Sequence, residues 1–577
     1  MFLKPEQQFQ PTPGQAVKDI IARGYRRTRG AFVAVGAISC VVSLLMLTGP
    51  LFMLQVYDRV LASRSVPTLV ALAVLVCGLY AMMGLFDFLR SRILSRVAQW
   101  LDNEWSGQAF KSWLVRSLSD QSSEYRPERD IAILRGFMSS PLMIALFDLP
   151  WFPIFLGVVF MLHFELGLLA SIGALVVVCL AILSEITSGK PSTNAAQSEF
   201  AEARFVERMQ NNADTVVAMG MIGDTVSRWK ALHDRTLHFI QRGTERSEFF
   251  TAFSKSFRML LQSLMLGFAA YLAIQGEISP GMIVAASIIA GRALAPLDQV
   301  VGGWRTIKRA RLANKRLSDY LSRDGGPAPV TVRLPDPKAK LDVIGVTKYA
   351  PGSNSSGQKR AILDGVSFTL GPGDGLGIIG PSASGKSSLA RVLVGLWMPD
   401  HGSVRFDGAT FEQWDADEIG KFVGYLPQQV ELLPGTIAQN IARFRRDASN
   451  VDIVNAAKIA GVHDIILSFP DGYGTPTDSP MSPLTGGYRQ RIGLARAVFG
   501  MPPLVVLDEP NSNLDAEGDQ ALASAIMTLR ENGSAVVVMA HRPSAIAAVD
   551  KILMLKNGSV LDIGDKTDVL RRVTKIA

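Results

Sequence analysis

Cysteine is almost missing from this chain. Cys40, Cys77 and Cys179 each stand alone inside an apolar run, without the spacing of a metal site or a redox pair. They read as small lipid-facing or core residues. Charge is sparse as well, at 19% of residues, and mean hydropathy is +0.22, high for a soluble enzyme of this size. No low-complexity tract and no short-period repeat occurs. A cleavable signal is also lacking: a basic stretch precedes the first apolar run, but that run is too long and has no small-residue cleavage site, so it should stay as an anchor. The net charge of +8 would suit nucleic acid as a partner. The basic residues cluster beside the apolar runs, however, which favours membrane lipid and not nucleic acid.

The apolar residues are concentrated in the first 320 positions. A bilayer span needs about 20 mostly apolar residues, and six stretches qualify: 31–56, 66–88, 141–162, 166–187, 257–276 and 281–301. Asp148 and Pro150 interrupt the third. Short loops join the spans in pairs, while 89–140 and 188–256 are long and polar. Positive charge sets the orientation. Lys18, Arg23, Arg26, Arg27 and Arg29 precede the first span, Arg90, Arg92 and Arg96 follow the second, Lys255 and Arg258 flank the fifth, and Arg305, Lys308, Arg309 and Arg311 follow the sixth. The short loops carry few positive charges. Both termini and both long segments therefore belong in the cytoplasm of a multi-pass membrane protein. The long segments read as helical extensions of the spans, with cross-helices near 119–130 and 213–229.

Residues 1–29 form a cytoplasmic segment, 30–320 the membrane domain, 321–339 a linker centred on Asp324-Gly-Gly-Pro-Ala-Pro329, and 340–577 an alternating strand and helix pattern typical of an α/β fold. Pro351-Gly-Ser-Asn-Ser-Ser-Gly357 reads as an exposed hairpin loop.

Gly380-Pro-Ser-Ala-Ser-Gly-Lys-Ser387 is a full phosphate loop, entered from an apolar stretch (Gly375 to Ile379) and left by a helical pattern. Position gives the motif its chemistry. Glycines let backbone N–H groups close around phosphates at a helix N-terminus, Lys386 reaches the β- and γ-phosphates, and the Ser387 hydroxyl ligates Mg²⁺. A second apolar strand, Leu504-Val-Val-Leu507, ends in Asp508-Glu509-Pro510. Asp508 can hold Mg²⁺ through water and Glu509 can polarise an attacking water; a structural helix cap is the alternative. Four further elements keep a fixed order: Gln428 in Gly424-Tyr-Leu-Pro-Gln428, Leu484-Thr-Gly-Gly-Tyr-Arg-Gln-Arg-Ile492 opening an amphipathic helix, Ser512-Asn-Leu-Asp515, and His541 at the end of Val536-Val-Val-Met-Ala-His541.

That order resembles an ATP-binding cassette (ABC) transporter. The resemblance covers the whole chain and implies a membrane α-helical bundle of six spans with the ABC exporter type I fold, followed by an α/β P-loop ABC nucleotide-binding domain. It implies ATP and Mg²⁺ as cofactors. Gly380, Pro381, Ser382, Ala383, Ser384, Gly385, Lys386, Ser387 and Ser388 would cradle the phosphates, and Ser387, Gln428 and Asp508 would hold the metal. Glu509 would be the catalytic base, His541 the γ-phosphate sensor and Gln428 a further catalytic contact. Asp515 would also bind ATP. Thr485, Gly486 and Gly487 would contact the ATP of the opposite cassette, so the unit is a dimer, in the first instance a homodimer. Tyr349 is the candidate for stacking on adenine; an ordinary strand-end tyrosine is its competitor.

In the membrane half, Met53-Leu-Gln-Val-Tyr-Asp-Arg-Val-Leu61, Ser63-Arg-Ser-Val-Pro-Thr68, Phe147-Asp-Leu-Pro-Trp-Phe-Pro153, Ala218-Met-Gly-Met-Ile222 and Gly291-Arg-Ala-Leu-Ala-Pro296 resemble type I secretion exporters of the PrtD-like group. The resemblance implies a bacterial inner membrane location, a membrane-fusion adaptor, a TolC-like outer-membrane channel and an unfolded polypeptide substrate with an uncleaved C-terminal signal. The stretch before the first span is too short for a papain-like peptidase domain. Two departures stand out. Thr485 and Tyr488 replace the usual serine and glutamine of the signature motif, and 477–483 lacks the usual Gly-Glu-rich pattern. They leave open a regulatory or heterodimeric half with weak ATPase, and a lipid or drug exporter is a further alternative. Arg292, near the middle of the sixth span, either lines the translocation path or pairs with Asp148 or Asp298.

Overall fold

The computed structural model describes residues 13–119, 125–323, 334–350, 360–478, 484–540 and 546–576. The chain divides into two compact units, one of Met1–Trp113 and Tyr125–Gly325, the other of Leu114–Glu124 and Gly326–Ala577.

The first unit is helical. Among the described residues five helical stretches are long and apolar enough to cross a membrane: Ile21–Ser63, Val66–Ser117, Pro141–Leu162, Ile222–Ile274 and Pro280–Gly302. The fourth expected span coincides with a shorter apolar stretch, Phe164–Leu180, at the start of the helix Phe164–Asn211. Three helices far exceed a bilayer: Val66–Ser119 has 54 residues, Phe164–Asn211 has 48 and Ile222–Ile274 has 53. At 1.5 Å per residue they run to roughly 70–80 Å against a hydrocarbon core of about 30 Å, so the polar segments do continue the spans as helix. The third span is Pro141–Asp148, a single 3₁₀ turn at Leu149–Trp151, and Phe152–Leu162. Its break falls where Pro150 cannot donate.

The cross-helix expectations need correction. Residues 120–124 lie outside the described residues, and the next helix is Pro127–Met138. Near 213–229 the separate helix is only Ala213–Ala218; Gly220, at φ +67°, ends it, and Ile222 already begins the next long helix. Pro127–Met138 is tied to the helix Trp304–Arg323 by Arg316, whose Nε and Nη2 donate to the Asp130 carboxylate at 3.0 and 2.5 Å, over a shared apolar core of Ile131, Leu134, Ala313 and Leu317.

Two carboxylates within the spans are already matched. Asp148 takes Arg90 Nη1 at 2.5 Å, and Arg90 also donates to Ser39 Oγ at 3.0 Å. Asp298 forms an ion pair with Arg258, Nε to Oδ2 at 2.7 Å, and its Oδ1 accepts from Ser254 Oγ at 2.7 Å. The expected pairing of Arg292 with Asp148 or Asp298 is therefore not formed; Arg292 Nη1 donates instead to the Met46 carbonyl at 3.1 Å.

The second unit is α/β. Its strands are β1 (Leu341–Tyr349), β2 (Ala361–Leu370), β3 (Gly375–Ile379), β4 (His401–Phe406), β5 (Ala409–Thr410), β6 (Val423–Leu426), β7 (Leu504–Asp508), β8 (Ala535–Met539), β9 (Lys551–Lys556) and β10 (Ser559–Asp565). A four-stranded antiparallel sheet runs β2-β1-β4-β5, and a six-stranded sheet runs β10-β9-β3-β8-β7-β6. In the latter β9, β3, β8, β7 and β6 are parallel neighbours. β7 and β8 are wholly buried, as continuous apolar runs in a covered parallel sheet must be. This sheet sets β3 and β7 on either side of β8, with their C-terminal ends at the same edge, where an open α/β sheet binds ligand.

Arg443 closes the helical side of this unit. Its φ is +54°, and it donates to the carbonyls of Gly420 (2.7 Å), Val423 (3.0 Å), Arg496 (2.9 Å) and Ala497 (2.8 Å). The last two end the helix Gly486–Val498, so one cation fills the C-terminal carbonyls of that helix and favours its dipole. Burial pushes the Arg443 pKa down to about 10. Arg443→Met should leave these carbonyls without a donor at a cost of about 3 kcal/mol. Hydrogen exchange on the full chain should show roughly 100-fold faster exchange in 486–498; unchanged protection there would count against the cap.

Candidate functional site: a phosphate loop and an Asp-Glu strand end

β3 delivers the chain into Gly380 through Gly385, and the helix Lys386–Leu393 begins at Lys386. Glycine is required at two points. A Cβ on Gly380 would collide with the Leu555 carbonyl of β9. Gly385 has φ +104°, and a Cβ there would lie 2.9 Å from the Ile362 carbonyl. Ala383 also takes a left-handed conformation, at φ +62°. Lys386 folds back over the loop: Nζ donates to the carbonyls of Gly380 at 2.9 Å and Pro381 at 3.0 Å. Burial pushes its pKa below the usual lysine value, while the charges of Glu509 and Asp508 push it up. The Ser384 hydroxyl is buried in the loop with no hydrogen-bond partner, a polar group left over for a ligand to satisfy.

The end of β7 meets this loop. Ser387 Oγ donates to Asp508 Oδ1 at 3.2 Å. Asp508 is buried, which pushes its carboxyl above the usual range; the Ser387 hydroxyl opposes this and the Glu509 charge adds to it. Glu509 itself sits at φ +49°, its N–H donating to the Met539 carbonyl of β8 at 3.0 Å. Such a conformation is costly for a residue with a Cβ and occurs preferentially at functional positions. Gln428, two residues past β6, places Nε2 3.0 Å from Glu509 Oε2. Five of the expected residues, Lys386, Ser387, Gln428, Asp508 and Glu509, thus form one connected cluster. The described residues contain no group of three or more His, Cys, Asp or Glu side chains able to hold a metal alone. One hydroxyl and one carboxylate side by side do fit Mg²⁺, which keeps water and takes substrate phosphate oxygens for its other ligands.

The signature segment begins its helix as capping chemistry predicts. Thr485 is the N-cap, and its Oγ1 accepts from the Tyr488 N–H at 3.4 Å. The Tyr488 ring is turned onto Phe469, edge-on with centroids 6.0 Å apart, against the apolar core. Asp515 caps the helix Ala516–Glu531 through the Gly518 N–H at 2.8 Å. Two residues of the signature helix carry contacts that went unassigned in the sequence. Arg491 Nη2 donates to Asp515 Oδ1 at 2.6 Å, and Gln490 Nε2 to the Pro510 carbonyl at 3.0 Å. Both are buried, so a polar pair on the inner face of an amphipathic helix was the available signal. The Gly518 N–H, then Arg491, hold the Asp515 carboxyl below the usual range.

Two expected residues stand apart. Tyr349 ends β1, its N–H donating to Asp400 Oδ2 at 2.9 Å and its ring edge-on to His401 at 6.0 Å. His541 lies outside the described residues.

A phosphate loop at the head of a parallel sheet, an Asp-Glu strand end beside it and a capped signature helix, in a chain with membrane-spanning helices, define an ATP-binding cassette protein. A family model described as ABC transporter matches residues 363–512, and one described as ABC transporter transmembrane region matches 32–294. The type I secretion system ATP-binding protein PrsD of Rhizobium meliloti is 44% identical over 96% of this chain and 94% of its own length. The alpha-hemolysin translocation ATP-binding protein HlyB of Escherichia coli is 27% identical over 95% of this chain and 77% of its own. In fold the chain matches a bacterial Atm1-family ABC exporter with ATP bound, at a TM-score of 0.82, covering 95% of this chain and 96% of that one at 22% identity. The chain belongs to the ABC transporter family, among the type I secretion ATP-binding proteins.

Gly380 offers a direct check. Gly380→Ala should leave the sheet intact by circular dichroism but displace the loop from β9. Titration with a fluorescent ATP analogue should then show affinity lowered at least tenfold, about 1.4 kcal/mol; wild-type affinity would mean the loop does not need this close approach.

Proposed function

We propose that this chain is one half of a homodimeric, ATP-driven exporter of a type I secretion system, moving an unfolded polypeptide with a C-terminal signal out of the cytoplasm. The observation that carries the reading is the joining, in one chain, of a connected Lys386–Ser387–Asp508–Glu509–Gln428 cluster to membrane-spanning helices, with a PrsD relative alike over nearly its whole length. Lys386 would exchange its two loop carbonyls for the β- and γ-phosphates. Ser387 and Asp508 would hold Mg²⁺, which when bound neutralises charge between those phosphates. Glu509, anchored through its N–H to β8 and through its carboxylate to Gln428, would orient and polarise water against the γ-phosphate. Thr485, Gly486 and Gly487 would present a helix N-terminus to the γ-phosphate bound by the partner half, with Asp515 beside it, and His541 would sense that phosphate. The residues from Gly380 to Ser388 would enclose the phosphates, and Tyr349 would stack on the adenine.

The host membrane would be the bacterial inner membrane, with the ATPase on its cytoplasmic side. A membrane-fusion adaptor and a TolC-like outer-membrane channel would complete the path. Thr485 caps its helix as serine would, and Tyr488 packs within its own unit. Both points favour an active signature face over a regulatory one.

The purified protein in nanodiscs should hydrolyse ATP without another half. Glu509→Gln should lower kcat by about 10² to 10⁴ while ATP binding persists. Negligible turnover in the wild type would favour the regulatory or heterodimeric reading. Co-purification of the adaptor or the outer channel supports secretion, whereas strong stimulation of turnover by lipid alone would replace it with lipid export.

A further inference from the structure

Proline shapes the first span. Its helix stops at Leu45 and resumes at Thr48, and Pro50 lies in the second piece. In an unbroken helix the Met46 carbonyl would accept from the N–H at position 50. Proline has none, and its ring crowds that same carbonyl. The neighbours keep their bonds: Met46 N–H donates to the Val42 carbonyl at 2.9 Å, and Leu51 N–H to the Leu47 carbonyl at 3.0 Å. The Leu47 N–H turns instead to the Leu44 carbonyl at 3.1 Å. The carbonyl four residues before Pro50, which proline cannot serve, receives Arg292 Nη1 at 3.1 Å. Gly49 keeps the approach open. A Cβ there would lie 2.7 Å from the Tyr80 hydroxyl and 3.7 Å from Arg292 Nη2.

The same two spans are tied again near their outer ends. Val56–Val60 is a π turn, and it presents Asp58 to the start of the sixth span. Asp58 Oδ2 accepts from Ser279 Oγ at 2.5 Å and Oδ1 from the Gly281 N–H at 2.8 Å. A Cβ on Gly281 would come within 2.7 Å of that carboxylate. Met46 to Asp58 and Gly281 to Arg292 are nearly equal lengths of helix, each about 17 Å at 1.5 Å per residue. The two ties therefore hold one antiparallel register.

We propose that Arg292 is a positioning residue: its guanidinium stands in for the N–H that Pro50 lacks, and together with the Asp58 tie it fixes the first span against the sixth. An intramembrane arginine is ordinarily costly and calls for a specific partner. Here the partner is a backbone carbonyl, which in lipid has no water to turn to. The guanidinium thereby has an assigned task that is separate from contact with an exported chain. The inference draws on the exporter reading only in expecting ATP turnover to respond to the membrane half.

A substitution cycle tests this, because returning an N–H to position 50 should make Arg292 dispensable. Full-length wild type, Pro50→Ala, Arg292→Met and the double variant are compared in nanodiscs by ATP turnover and by the melting midpoint from intrinsic fluorescence. Arg292→Met should lower the midpoint by several degrees and kcat several-fold, with KM for ATP unchanged. Pro50→Ala should stay near wild type, and the double variant should recover both quantities to within twofold of Pro50→Ala. Pro50→Leu restores the same N–H and serves should the alanine leave a destabilising gap. A double variant no better than Arg292→Met would overturn the proposal and favour a charge that faces the path, as would an Arg292→Met protein indistinguishable from wild type. Neither readout depends on the transported substrate. A protein that moved lipid instead would fail the secretion test above and still pass or fail this one.

Discussion

A backbone carbonyl without a donor is expensive wherever water is excluded, about 1–3 kcal/mol in a protein interior and several in lipid. Three cations of this chain answer that constraint at points where the backbone departs from regular structure. Lys386 takes the Gly380 and Pro381 carbonyls in the phosphate loop, Arg443 takes the ends of the signature helix and of the segment before β6, and Arg292 takes the carbonyl that Pro50 strands. In each case the irregular backbone cannot exist cheaply without its cation.

The three differ in what they can give up. Arg443 is a delocalised fork that donates to four carbonyls, buried enough that its pKa falls to about 10. It is a permanent clamp. Lys386 is a point charge on a flexible stem, holding two carbonyls; on the proposed function it would exchange them for phosphate oxygens. Burial lowers its pKa overall, and the charges of Glu509 and Asp508 oppose that shift. The same burial raises the Asp508 pKa. A buried carboxylate beside a serine hydroxyl and a lysine is better stabilised by a divalent cation than by either neighbour alone.

Much of this site was legible in the sequence because its chemistry is local. Gly380, Gly385 and Lys386 must follow β3 at fixed spacing, and Asp508 and Glu509 must end a buried strand, so order along the chain carries the geometry. The spans were legible for a similar reason: lipid demands continuous apolar helix. Contacts set by packing were not. The partner of Arg292 depends on a proline about 240 residues away and on the register of two helices. Asp148 and Asp298 looked available only because Arg90 and Arg258 could not be placed against them. Gln490 and Arg491 were visible as polar residues in an apolar helix face, but their targets, Pro510 and Asp515, come from a different strand end. The cross-helix near 213–229 shrank to six residues because one glycine, Gly220, took a left-handed turn that composition does not announce.

The altered signature motif can be weighed in the same terms. What a helix N-terminus offers an anion is a set of free N–H groups and a dipole. Thr485 retains the N-cap oxygen, so the N–H it occupies is the one serine would occupy, and Gly486 and Gly487 keep the backbone of the first turn uncovered. Tyr488 exchanges an amide for a ring, and that ring lies against Phe469 on the core side. The substitution therefore adds apolar contact inside the cassette and leaves the backbone N–H groups of the first turn, which would face the phosphate on the proposed function, as they were. The remaining departure, 477–483, comes just before this helix, and 479–483 of it lies outside the described residues. Thr477 itself is held by the Leu433 and Gly435 carbonyls, which Asn440 and its neighbours brace.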